Sequence, residues 1–183
     1  MAKDEKTLCE DSLMEEVMDI YPGARRALFR KYHIGGCASC GFQMNETLGG
    51  VCGRNDNLDV AEVLREIQSS HEADQKILIE PKALAAERET DADLKLLDIR
   101  SGEEFEAARI EGATHMTRDL MQEVMGKWDP EASVVVVDHE GQQGLDAAAY
   151  FLGHGMKNVR CLRGGIDAWS LEVDDSVPRY EFS

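Results

Sequence analysis

The chain has 183 residues, 43% of them hydrophobic, and 36 acidic against 20 basic side chains give it a formal net charge of −16. That length holds one medium domain or two small ones, and the apolar content suffices for a packed core, which excludes the disordered class. The acidic excess argues against nucleic acid and anionic membranes as partners, since both demand clustered Lys and Arg. Residues 1–8 (MAKDEKTL) lack the apolar stretch of a secretion signal, and no apolar run approaches the ~18 residues that span a bilayer, so the cytoplasm is the expected location.

Along the chain, Ser12 and Glu15 form a capping-box signature ahead of Leu13, Met14, Val17, Met18 and Tyr21 at helical spacing. Pro22-Gly23 ends that helix. A second helix is expected over 24–32, with Gly35-Gly36 as its stop. Thr47 and Asp59 read as caps of two further short helices, the latter carrying the stripe Val60, Val63, Leu64 and Ile67. The polar stretch 69–75 (SSHEADQ) reads as the divide, giving a small all-α domain over 1–72 and a second domain over 73–183.

After the divide, strand candidates at 77–79, 94–99, 134–137 and 159–162 alternate with helix candidates at 81–88, 101–109, 118–128 and 142–154. This alternation, with the unbroken run VVVV, predicts an α/β domain whose mainly parallel sheet is flanked by helices. Ligands of such sheets bind beyond the carboxyl ends of the strands, which directs attention to the loop 138–144, DHEGQQG. The acidic excess is greater here too: residues 73–183 hold 23 acidic and 12 basic side chains.

The segment LLDIRSGEEFEAARIEGATHM (96–116) and the stretch LRGGIDAW (162–169) resemble the rhodanese signature and its closing GG-x-x-x-W motif. The resemblance implies a rhodanese-like fold over most of 76–172, with Asp98 and Arg100 as a structural contact at a strand end. It also implies a nucleophilic cysteine directly after the fourth long strand, then a glycine and an arginine within a loop that stabilises anionic sulfur. This sequence has Asp138 at the cysteine's place, Gly141 as the glycine and Gln143 for the arginine. A carboxylate cannot carry a sulfane sulfur. An N–H cradle at a helix start favours an anion, so Asp138 is expected to fill its own loop, and Asp138 and Glu140 beside His139 to make the mouth acidic. The degenerate loop then comprises Asp138, His139, Glu140, Gly141, Gln142, Gln143 and Gly144. Cys161, in a strand candidate, reads as a buried inert thiol, and His115 and His139 have no nucleophile to serve.

Of the five cysteines, at 9, 37, 40, 52 and 161, Cys37 and Cys40 form a Cys-x-x-Cys pair. Residues 13–67, with HIGGCASC and LDVAEVLREI, resemble the hybrid-cluster-protein-associated redox disulfide domain, which implies a reversible dithiol at Cys37 and Cys40 and a further matched cysteine at Cys52. Such a pair exchanges disulfides or passes a persulfide. His33, Cys37, Cys40 and Cys52 also supply a Cys3His set for zinc or an iron-sulfur cluster, although only one half of the usual double Cys-x-x-Cys pattern is present. Two functions follow. Either the protein is a thiol-redox or sulfur-handling factor, without bound cofactor, working through Cys37 and Cys40 on a protein partner in thiol or sulfur metabolism. Or it is a non-catalytic binding or sensor module that uses the degenerate loop for recognition and its cysteines only structurally, a structural metal at Cys37, Cys40 and Cys52 being one form of this.

Overall fold

The computed structural model describes residues 7–35 and 41–179. Cys37 and Cys40 lie outside them. The chain divides into two compact units, 1–75 and 76–183.

The first unit contains α1 (Met14–Ile20), α2 (Ala24–Tyr32), α3 (Leu48–Arg54) and α4 (Val60–Lys76). Their apolar stripes meet in one core of Met14, Val17, Leu28, Leu48, Val51, Val63 and Ile67, each at most 1% exposed. Thr47 caps α3 by accepting the Gly50 N–H, and Asp59 caps α4 by accepting the Glu62 N–H at 2.8 Å. The expected Ser12–Glu15 box is displaced by one residue: Leu13 is the N-cap, its N–H donates to Glu16, and the Ser12 hydroxyl accepts from Cys9 N. The polar stretch 69–75 is itself helical, since α4 runs through it to Lys76, and the two units part at its end. Its polar character deceives because the positions turned inward are Ser70 and Asp74, and Asp74 accepts from Arg26 of α2 at 2.5 Å. A buried carboxylate with a guanidinium partner takes the place of an apolar contact.

The second unit is a five-stranded, all-parallel sheet in the order β1-β5-β4-β2-β3, formed by β1 (Leu78–Ile79), β2 (Lys95–Asp98), β3 (Ala113–His115), β4 (Val134–Val137) and β5 (Val159–Leu162). Five helices accompany it: α5 (Pro81–Thr90), α6 (Gly102–Ala107), α7 (Arg118–Lys127), α8 (Gln142–Gly153) and α9 (Gly165–Glu172). The central β4 explains the VVVV run. Val135 and Val137 pack on one face with Leu84 of α5 and with Ile166 and Trp169 of α9. Val134 and Val136 pack on the other with Val124 of α7 and with Leu145, Ala148 and Phe151 of α8. Alternate side chains of one strand thus feed two cores, as expected of a sheet covered on both sides.

Candidate functional site

β4 ends at Val137, and the next residue, Asp138, opens a short loop into α8. Asp138 is 5% exposed, and its Oδ1 accepts the Gly141 N–H at 2.6 Å. Burial raises its pKa above the usual carboxylate value; the backbone N–H groups of Gly144, Gly141 and Gln143 pull the other way and offset only part of that. The first turn of α8 therefore spends its unpaired donors on a side chain of its own loop.

The loop backbone is gripped from below by α9. Ile166 N–H donates to Asp138 O at 2.9 Å and Asp167 N–H to His139 O at 3.2 Å. Gly165, at φ +59°, makes this approach possible, since a Cβ there would collide with both carbonyl oxygens. Gly141, at φ +89°, turns the loop where a Cβ would lie 2.8 Å from Gly164 N. Beneath the loop, the fully buried Cys161 thiol donates toward Gly141 O at 3.5 Å.

Beside the loop, the Asp98 carboxylate accepts from Arg100 Nη2 at 2.6 Å and from Arg100 N at 3.0 Å, and Arg100 Nη2 also donates to Ala108 O at 2.6 Å. Both side chains are at most 2% exposed, so the pair ties the end of β2 to the segment after α6. The His115 Nε2 lies 2.8 Å from Arg100 O, and its ring stacks on Phe105.

Above the loop opens a cavity of about 840 Å³ whose lining includes Glu104, Asp138, Glu140, Gln143, Asp167 and Arg179. His139 and Gln142 also line it, whereas Gly141 and Gly144 shape the loop from within. The acidic mouth thus carries a guanidinium that composition and motif did not indicate. Arg179 donates through Nε and Nη2 to both oxygens of Asp167, at 2.6 and 3.0 Å, which holds the Asp167 carboxyl below its usual value. The signal available in sequence was a lone arginine after the acidic 174–175.

In the first unit, Cys52 is buried in α3 and burial pushes its thiol up, with Asp59 adding to the effect. His33 takes the left-handed conformation that ends α2, its ring edge-on to Phe29. Among the described residues no group of three His, Cys, Asp or Glu side chains is placed to hold a metal, and no helix is long and apolar enough to cross a membrane.

Residues 80–172 match the family described as Rhodanese-like domain. The chain belongs to that family. The rhodanese-like unit is 34% identical over 74 residues to thiosulfate sulfurtransferase GlpE of Pseudomonas entomophila, covering 40% of this chain and 68% of that protein. It is 30% identical over 99 residues to thiosulfate sulfurtransferase GlpE of Pseudomonas savastanoi pv. phaseolicola, covering 54% of this chain and 92% of that protein. Among solved structures, the human single-domain sulfurtransferase TSTD1 superposes with a TM-score of 0.47 at 20% identity, over 52% of this chain and 96% of that one. By its family match and its likeness to the two GlpE proteins, the rhodanese-like unit is a sulfurtransferase homologue.

Proposed function

We propose that this rhodanese-family protein lacks thiosulfate sulfurtransferase activity at the Asp138 loop, and that it acts as a thiol-redox or sulfur-handling factor through Cys37 and Cys40. The observation that carries the first half is the Asp138 carboxyl lying within the loop's own N–H groups. A carboxylate forms no persulfide, and here it occupies the donors that an anionic sulfur would need. Gln143 lines the cavity without the charge of an arginine.

The second half is supported by the base from which the Cys-x-x-Cys segment departs. Gly35 and Gly41 touch so closely that a Cβ on Gly41 would collide with Gly35 Cα. Arg54 Nη2 donates to Gly41 O at 2.5 Å, and the Arg25 guanidinium lies 4.4 Å from the centroid of Phe42 with its stem against Gly35. Arg54 is also paired with Glu46, so what the base contributes is the close approach of Gly35 and Gly41 on either side of the segment that carries the Cys-x-x-Cys pair. In the exchange, a partner thiolate attacks the Cys37–Cys40 disulfide, forming a mixed disulfide and releasing one thiolate of the pair. The partner's second thiolate then displaces the other, so two electrons pass to this protein and the partner leaves as a disulfide.

The test uses the full chain in a thiosulfate-to-cyanide assay and in a thiol titration across a dithiothreitol redox series. The expected result is no sulfur transfer and a two-electron couple that disappears in Cys37→Ser and in Cys40→Ser. Turnover that survives the Cys37→Ser/Cys40→Ser double substitution overturns the first half. Stoichiometric zinc or iron with protected thiols overturns the second and leaves a binding module with a structural metal.

A further inference from the structure

The carboxylates around the loop mouth outnumber the cations that face them. Glu104, Asp138, Glu140 and Asp167 share the cavity with Arg100 and Arg179. Arg100 is turned away into its closed contact with Asp98 and Ala108 O. Arg179 reaches the mouth by a defined route. Beyond α9 the chain turns back, Val177 is buried against the sheet core, and the Ser170 hydroxyl donates to Val177 O at 2.6 Å. From that anchor the strand of chain returns to the first turn of α9, where the guanidinium meets both Asp167 oxygens. Asp167 itself donates its N–H to His139 O, so the cation sits one residue from the loop. This is a two-pronged arginine site already filled by an arginine, beneath a cavity of about 840 Å³ that is far larger than one guanidinium.

We propose that the mouth of the Asp138 loop is a docking pocket for an arginine side chain of a partner protein, with Arg179 as its intramolecular occupant. The proposal rests on the reading that the loop is not a sulfur-transfer site, and it adds the chemistry of the partner. Charge complementarity selects a cation, and the paired geometry on Asp167 selects arginine over lysine. Arg179 is about half exposed and Asp167 about a quarter, so solvent reaches the pair and screens it, which keeps its exchange with a competitor in the range of a partly exposed ion pair. Glu140 and Glu104 supply the outer charges that steer the incoming side chain.

The probe is the pentapeptide glycyl-arginyl-glycyl-arginyl-glycine, titrated into the 15N-labelled full chain, with the citrulline analogue as the uncharged match. The arginine peptide is expected to shift the amides of His139, Glu140, Gln142, Gln143 and Asp167, and the citrulline peptide is not. Arg179→Ala should tighten binding about two- to fivefold, the range set by a partly exposed ion pair. Asp167→Asn should weaken it by more than about threefold, while Glu123→Gln, an equal charge change on α7, should not alter it. Binding unaffected by Asp167→Asn, equal binding of both peptides, or weaker binding in Arg179→Ala overturns the proposal. The Cys37→Ser/Cys40→Ser variant is expected to bind as the native chain does. Failure of the dithiol chemistry therefore leaves this result intact, and sulfur transfer from thiosulfate is read in a separate assay.

Discussion

The sulfur of Cys161 lies directly under Gly144: a Cβ at residue 144 would come within 2.9 Å of Cys161 Sγ and within 3.0 Å of Asp138 Oδ1. A missing side chain on α8 thus brings a buried thiol and a buried carboxyl to the same point.

Gly144→Ala is therefore expected to destabilise the protein. Alanine in a helix gains up to ~1 kcal/mol over glycine, but overpacking costs ~1–3 kcal/mol, and the neighbours are a buried strand residue and the loop. The net loss should reach ~2 kcal/mol in chemical denaturation. Cys161→Ala should relieve part of it, giving a coupling energy above ~0.5 kcal/mol in a double-mutant cycle.

Asp98→Asn removes one partner of an ion pair that is fully enclosed. The guanidinium of Arg100 keeps its bond to Ala108 O but loses its counter-charge. Breaking such a pair from one side costs ~3–5 kcal/mol, and a loss near that size is expected in urea unfolding of the variant.

The pH dependence of Asp138 has a definite sign. Its folded value is raised by burial, so its contribution to stability is complete below the unfolded value of about 3.9 and is lost as pH rises through the folded value. Asp138→Asn keeps an oxygen acceptor for Gly141 N–H and removes the ionisation. Measured across that window, the stability of Asp138→Asn should rise relative to the native chain as pH increases. A difference that stays flat or falls shows that the carboxyl is not held in this environment.

Glu87 provides the opposite slope. Its bidentate bonds with Arg160, at 2.5 and 2.7 Å, tie α5 to β5 and hold its carboxyl below the usual range. Its stabilisation is present above the unfolded value of about 4.3 and fades as pH falls through the lower folded value. Glu87→Gln should cost ~1 kcal/mol at neutral pH, allowing for partial exposure, and nothing measurable in acid.

The sequence was most legible where burial is uniform. Residues 134–137 and 159–162 are strands over the expected spans because every position of β4, and three of the four in β5, are enclosed. β3 is absent from the periodicity reading: three residues of mixed exposure at a sheet edge leave no pattern to detect. α9 is missing from the helix candidates because it starts at Gly164-Gly165, both in the left-handed region, which carry no helix-start signal although they begin the helix that grips the loop. The loop after residue 137 lies between β4 and α8, where the strand and helix candidates place it. Arg179 was not legible, because it reaches Asp167 through an anchor at Val177 that has no local signature.

The hold of α9 on the loop carbonyls has an energetic consequence for recognition. With Asp138 O and His139 O bonded to Ile166 N and Asp167 N, and Gly165 leaving no gap for a side chain between them, the loop backbone is fixed before anything arrives. A binder at this mouth need not order it, so that entropy cost falls only on the binder's own side chains.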